Sequence, residues 1–127
     1  MCKTIHQRAK FKLSPEKVYE LLADSKAHTQ LTHHKAVIGK KTGDKFSTHR
    51  GFISGIIVDA VPGRRLVQAW RTKEFPEGVF SMATFLLKRS RSGGTELELI
   101  HRGVPKDLIP EIEFEWRRSY WDKIKKY

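Results

Sequence analysis

The chain has 127 residues, 39% hydrophobic and 31% charged, enough apolar material for one packed core and for a single domain over 1–127. No run of about 18 apolar residues occurs, residues 1–6 lack the apolar core of a secretory signal, and Cys2 is the only cysteine, so a membrane span, an internal disulfide and a cysteine-based metal cage are excluded and the cytoplasm is the expected compartment. The formal net charge is +11, but Lys40-Lys41, Arg64-Arg65, Lys88-Arg89-Ser90-Arg91 and the basic 123–126 segment lie far apart, which predicts a solvated basic surface rather than a nucleic-acid site.

Residues 5–13 alternate strictly. Ile5, Gln7, Ala9, Phe11 and Leu13 interleave with His6, Arg8, Lys10 and Lys12, the period of a strand with one face in water. Ser14-Pro15-Glu16 then has a capping serine, a proline suited to the first helical position and an acid for the helix dipole. Val18, Leu21 and Leu22 follow at helical spacing, and Asp24-Ser25 starts a second short helix reaching Leu31. From residue 36 the pattern is strand and turn. Strands are predicted over 36–38, 45–49, 56–61, 66–72, 79–88 and 95–102, with Pro62-Gly63 and Ser92-Gly93-Gly94 as hairpin turns and Gly51 and Gly55 bracketing a turn or bulge over 52–54.

Pro105 ends the last strand, and Pro110 opens a helix over 110–127. Such a helix spans about 27 Å, against about 23–26 Å for a strand of seven or eight residues, so it can cross the sheet. At 100° per residue, Ile112, Trp116, Tyr120, Ile124 and Tyr127 share one side, Phe114 and Trp121 widen that arc, and Glu115, Arg118, Asp122 and Lys125 lie opposite. The class is α+β: a curved antiparallel sheet of about six to seven strands against one long C-terminal helix, with two short helices after the first strand.

Catalytic signatures are missing. His33 and His34 are adjacent and so face different ways, no His-Glu-x-x-His or phosphate-loop pattern occurs, and neither Ser54 nor Ser81 sits in a nucleophile motif. The histidines are expected to be surface or locally bonded, and no metal or cofactor is implied. Alternation does place Gln7, Gln68, Trp70 and His101 on the apolar faces of their strands, giving polar groups in an otherwise apolar interior.

The order of elements resembles the family of activator-of-heat-shock-protein-90-ATPase homologues, within the START-like helix-grip superfamily. The resemblance rests on Ser14-Pro15-Glu16-Lys17-Val18-Tyr19, Gly43-Asp44-Lys45-Phe46, Gly51-Phe52-Ile53-Ser54-Gly55 and Val61-Pro62-Gly63-Arg64-Arg65-Leu66-Val67-Gln68-Ala69-Trp70. It continues through Phe75-Pro76-Glu77-Gly78, Thr95-Glu96-Leu97, Gly103-Val104-Pro105 and Trp116 with Tyr120-Trp121. It implies a bent sheet gripping the last helix, with a gap that holds an apolar small molecule in much of the superfamily. In the two-domain co-chaperones of the family this domain is the second, so this chain is expected to lack the first.

The expected function is therefore a non-enzymatic binding domain for an apolar or amphipathic small molecule. Phe11, Phe46, Trp70, Phe85, Leu99, Trp116 and Tyr120 would form the walls, and Gln68 and His101 would orient the polar end. Two alternatives stand beside it. One is a protein-interaction module that partners the heat-shock protein 90 chaperone; the other is a cyclase-like enzyme with His101 as acid–base.

Overall fold

The N-terminal alternation produces a ten-residue strand, β1 (Cys2–Phe11). Helix α1 (Pro15–Ala23) follows, with the Ser14 hydroxyl accepting from the Lys17 N–H and proline in the first turn. The Asp24 carboxylate accepts from the Ala27 N–H and starts α2 (Ser25–Thr32), which stops at left-handed His33. The remaining strands are β2 (Val37–Ile38), β3 (Lys45–Thr48), β4 (Ile53–Val61), β5 (Arg65–Thr72), β6 (Ser81–Arg89) and β7 (Thr95–Pro105). The computed structural model describes residues 1–127.

All seven strands join one antiparallel sheet in the order β1-β7-β6-β5-β4-β3-β2. The α+β class with two short helices after the first strand is as expected. Both chain ends of the sheet run further than their local patterns suggest, because they pair with each other. Cys2 and Lys3 lie opposite Pro105 and Val104, so β1 begins at Cys2 and Pro105 closes β7 rather than standing beyond it. Gly55 is also not at a turn: it lies within β4, where an added Cβ would meet the Ala69 carbonyl oxygen and the Phe46 ring. The turn before β4 is instead made by His49, Arg50 and Gly51, all with positive φ.

After β7 a short 3-10 turn (Lys106–Leu108) leads into α3 (Ile109–Glu115). The next six residues, Trp116–Trp121, form a π-helical segment in which the Asp122 N–H bonds to the Arg117 carbonyl, five residues back. Asp122–Ile124 returns to α-helix as α4. The predicted single helix is thus one right-handed rod with a widened central turn, a rare feature in α-helices. Its inward side carries Ile112, Trp116, Tyr120, Trp121 and Ile124. Phe114 and Tyr127 do not join that side and are 52% and 51% exposed.

Candidate functional site

The gap between sheet and helix is closed by three hydrogen-bonded clamps. The inward aromatics of the π segment each carry one polar atom, and each places it on a different element. Trp116 Nε1 donates to His101 Nδ1 on β7 at 3.1 Å. The Tyr120 hydroxyl lies 2.9 Å from His28 Nε2 on α2, and Trp121 Nε1 donates to Gln7 Oε1 on β1 at 2.7 Å. Gln7 returns its amide to the Glu113 carbonyl at 3.1 Å. The rings fill the space between these bonds: Trp116 and Trp121 stack at 5.9 Å, and Trp70 lies 5.6 Å from Trp116.

Donor geometry fixes the protons. His101 Nδ1 accepts from the indole, so its Nε2 carries the hydrogen and donates to Ser81 Oγ at 2.7 Å, which in turn donates to the Trp70 carbonyl at 2.8 Å. The imidazole is fully buried, and burial holds its pKa down at about 3. A neutral histidine that donates toward the serine cannot take the serine's proton, so this pair is a structural relay with no free nucleophile. His28 behaves alike. Its Nδ1 donates to the Leu22 carbonyl at 3.2 Å, its Nε2 accepts from Tyr120, and burial lowers its pKa to about 4. Burial also pushes the Tyr120 phenol above its ordinary value.

Six of the nine residues assigned to a ligand from sequence meet around the same internal hollow: Phe46, Gln68, Trp70, Phe85, Trp116 and Tyr120, with Leu22, His28 and Thr48 completing the lining. That hollow measures only about 10 Å³, at the limit for one water molecule. Phe11 packs 6.2 Å from Trp121, Leu99 is fully buried in the core, and His101 is sealed under Trp116. The residues expected to converge do converge, but on one another. His28 departs from the expectation of a surface or locally bonded side chain: it is 4% exposed and bonds to Tyr120 at the far end of the chain. Its spacing from Leu31, three residues on along α2, was the available signal.

At one edge of the gap a cleft of about 100 Å³ opens to solvent beside the helix. Trp70, Ile112, Trp116 and Tyr120 form its apolar floor, and His49, Glu74, Glu111 and Glu115 its polar margin. Burial, with help from His34, lowers the His49 pKa. Burial tends to raise the Glu115 carboxyl, but the Ser119 hydroxyl and the Arg118 guanidinium outweigh it and hold the group below its usual value. A wider cleft of about 310 Å³ lies between α1 and the β4–β5 hairpin. Its carboxylates are engaged, Glu16 with Arg89, Glu20 with Lys17 and Asp24 with the start of α2. No group of three or more metal-ligating side chains occurs, and no helix is long and apolar enough to cross a membrane.

Comparison with known proteins gives a consistent result. The human activator of 90 kDa heat shock protein ATPase homolog 1 is 34% identical over 115 residues, covering 91% of this chain and 34% of the human protein. The Dictyostelium discoideum activator of 90 kDa heat shock protein ATPase homolog is 28% identical over 123 residues, 97% of this chain and 32% of that protein. The chain therefore spans about a third of the length of these curated relatives. Among solved structures, an Hsp90 activator from Plasmodium falciparum superposes with a TM-score of 0.93 at 20% identity, covering 98% of this chain and 94% of that one. The family model described as activator of Hsp90 ATPase homolog 1-like protein matches residues 12–127, and the chain belongs to that family.

Proposed function

We propose that this domain is a non-enzymatic module that binds a heat-shock protein 90 chaperone through its exterior. The observation that carries this reading is the closed gap. The aromatic residues that could enclose a ligand instead clamp the helix and leave about 10 Å³ inside and about 100 Å³ in the cleft at its edge, both below the roughly 300–1,000 Å³ of small-molecule sites. Relatives named as activators of the chaperone's ATPase supply the class of partner. The charge of +11 supplies a means of recognition, since a basic surface attracts an acidic one over a distance set by ionic strength.

Isothermal titration of the domain into full-length heat-shock protein 90 tests this reading. Saturable binding is expected at low ionic strength, weakening as salt is added. No saturable heat at low ionic strength would overturn it.

A second reading is favoured only by the open cleft. A small amphipathic molecule, its apolar part on Trp70 and Trp116, would fit the 100 Å³ available there. Such a ligand should change the tryptophan emission in a saturable manner. A panel of small lipids and aromatic compounds that leaves the emission unchanged would remove this reading.

A further inference from the structure

A sheet face that meets water normally alternates to polar residues, and over β1, β7 and β6 the outer face does. His6 and Arg8 pair with Glu98, and Lys10, Glu96 and Lys88 stand in register. Over β2 to β5 and the first residues of β6 the rule fails. Val37, Ile56, Val58, Phe80 and Met82 are 40–57% exposed, on a face that no helix covers.

Two adjacent cross-strand rows define this region. The first runs Val37, Ser47, Ser54, Arg71, with the Arg71 guanidinium 5.6 Å above the Phe80 ring. The second runs Lys45, Ile56, Ala69, Met82, Arg102. The two serines are short and the residues around them tall, so the surface sinks into an open trough of about 410 Å³ walled by Val37, Ile56 and Phe80, with Lys45 at its lip. The charged members of both rows are Lys45, Arg71 and Arg102. No carboxylate stands among them.

We propose that this trough is the docking site for an acidic, apolar-tipped segment of a protein partner. One apolar side chain of that segment sits over Ser47 and Ser54 between Val37, Ile56 and Phe80, and its flanking carboxylates meet the exposed Lys45 and Arg102. The Arg71 guanidinium is held by the Phe75, Pro76 and Val79 carbonyls and braces the Phe80 wall. Exposed apolar surface rimmed by polar groups marks interaction sites, and the single sign of the rim selects the sign of the partner. The same rim opposes a second copy of this chain, which would bring like charges together. The inference rests on the chaperone reading and gives that reading its contact surface.

The test is titration of full-length heat-shock protein 90 with the wild-type domain and two double variants. Ile56→Ser with Phe80→Ser removes the trough walls and keeps the charge; Lys45→Glu with Arg102→Glu reverses the rim and keeps the walls. All four side chains face solvent, so the fold is expected to survive, as thermal melts will register. Each variant should weaken binding by about tenfold or more, as loss of an anchor residue does, and the charge reversal should also flatten the salt dependence. Wild-type binding with both variants unchanged would overturn this surface and leave the chaperone reading standing. No wild-type binding would overturn both. Binding to phosphatidylserine vesicles that is lost in the variants while chaperone affinity is unchanged would assign the face to a membrane, and a dimer dispersed by the same substitutions with chaperone affinity unchanged would assign it to self-association; either refutes the proposal.

Discussion

Trp116, Tyr120 and Trp121 divide their polar atoms among His101, His28 and Gln7, three residues from three different elements. Two of those partners are buried histidines held neutral, and this gives the protein a pH signature. An unfolded histidine takes up a proton near its ordinary value of about 6.5, whereas in the folded chain burial holds His28 at about 4 and His101 at about 3. The folded pKa values are depressed, so the stabilisation is full above about 6.5 and is lost as pH falls toward the folded values. Urea midpoints should therefore drop between pH 7 and 5, before carboxylates contribute, and the drop should be shallower in His28→Gln. A flat midpoint over that range would contradict two histidines buried in the neutral form. The polar residues on apolar strand faces were legible from alternation, but their purpose was not. Alternation tells which way His101 points; it is silent on an indole fifteen residues later or a hydroxyl twenty residues earlier that completes its bonds.

The C-terminal helix depends on its π turn. A uniform 100° step places Trp121 about 140° from Trp116, and Tyr127 only about 20° from it. One extra residue in the turn rotates everything after it back by about 100°. Trp121 and Ile124 then swing inward, to 3% and 1% exposure, and Tyr127 swings out. Phe114 lies two residues, about 200°, before Trp116 and faces away in either case, so the expectation that it widens the inner arc fails on the helical step itself. Trp121→Ala should cost about 3–5 kcal/mol in chemical denaturation, the range for a large buried aromatic. Phe114→Ala should stay within about 0.5 kcal/mol, as an exposed position does. Equal losses in the two variants would mean that the π turn is misplaced. The start of this helix was readable from Pro110 and its inner face in outline from periodicity. Its widened turn was not, because no single residue signals an insertion whose benefit appears only when three aromatics find partners on the sheet and α2.

At the scale of the whole molecule, element order follows from turn chemistry, with Gly63 and Gly93 taking the positive φ their hairpins need. The pairing of the chain's first strand with its last depends on residues about 100 apart in sequence, and alternation within each strand cannot reveal it. Whether the sheet and helix enclose a hollow depends on summed side-chain volumes across many elements, which a linear pattern does not carry. In the folded chain a core of 27 buried residues leaves about 10 Å³ inside, and the apolar trough over Ser47 and Ser54 lies outside it. The proposed function requires that the sheet grip the helix and nothing else. Native mass spectrometry after incubation with lipids of graded chain length and with polycyclic aromatics tests this most directly. The 14.7 kDa chain alone is expected under gentle activation; a one-to-one adduct released only when the protein unfolds would show that the gap takes a ligand.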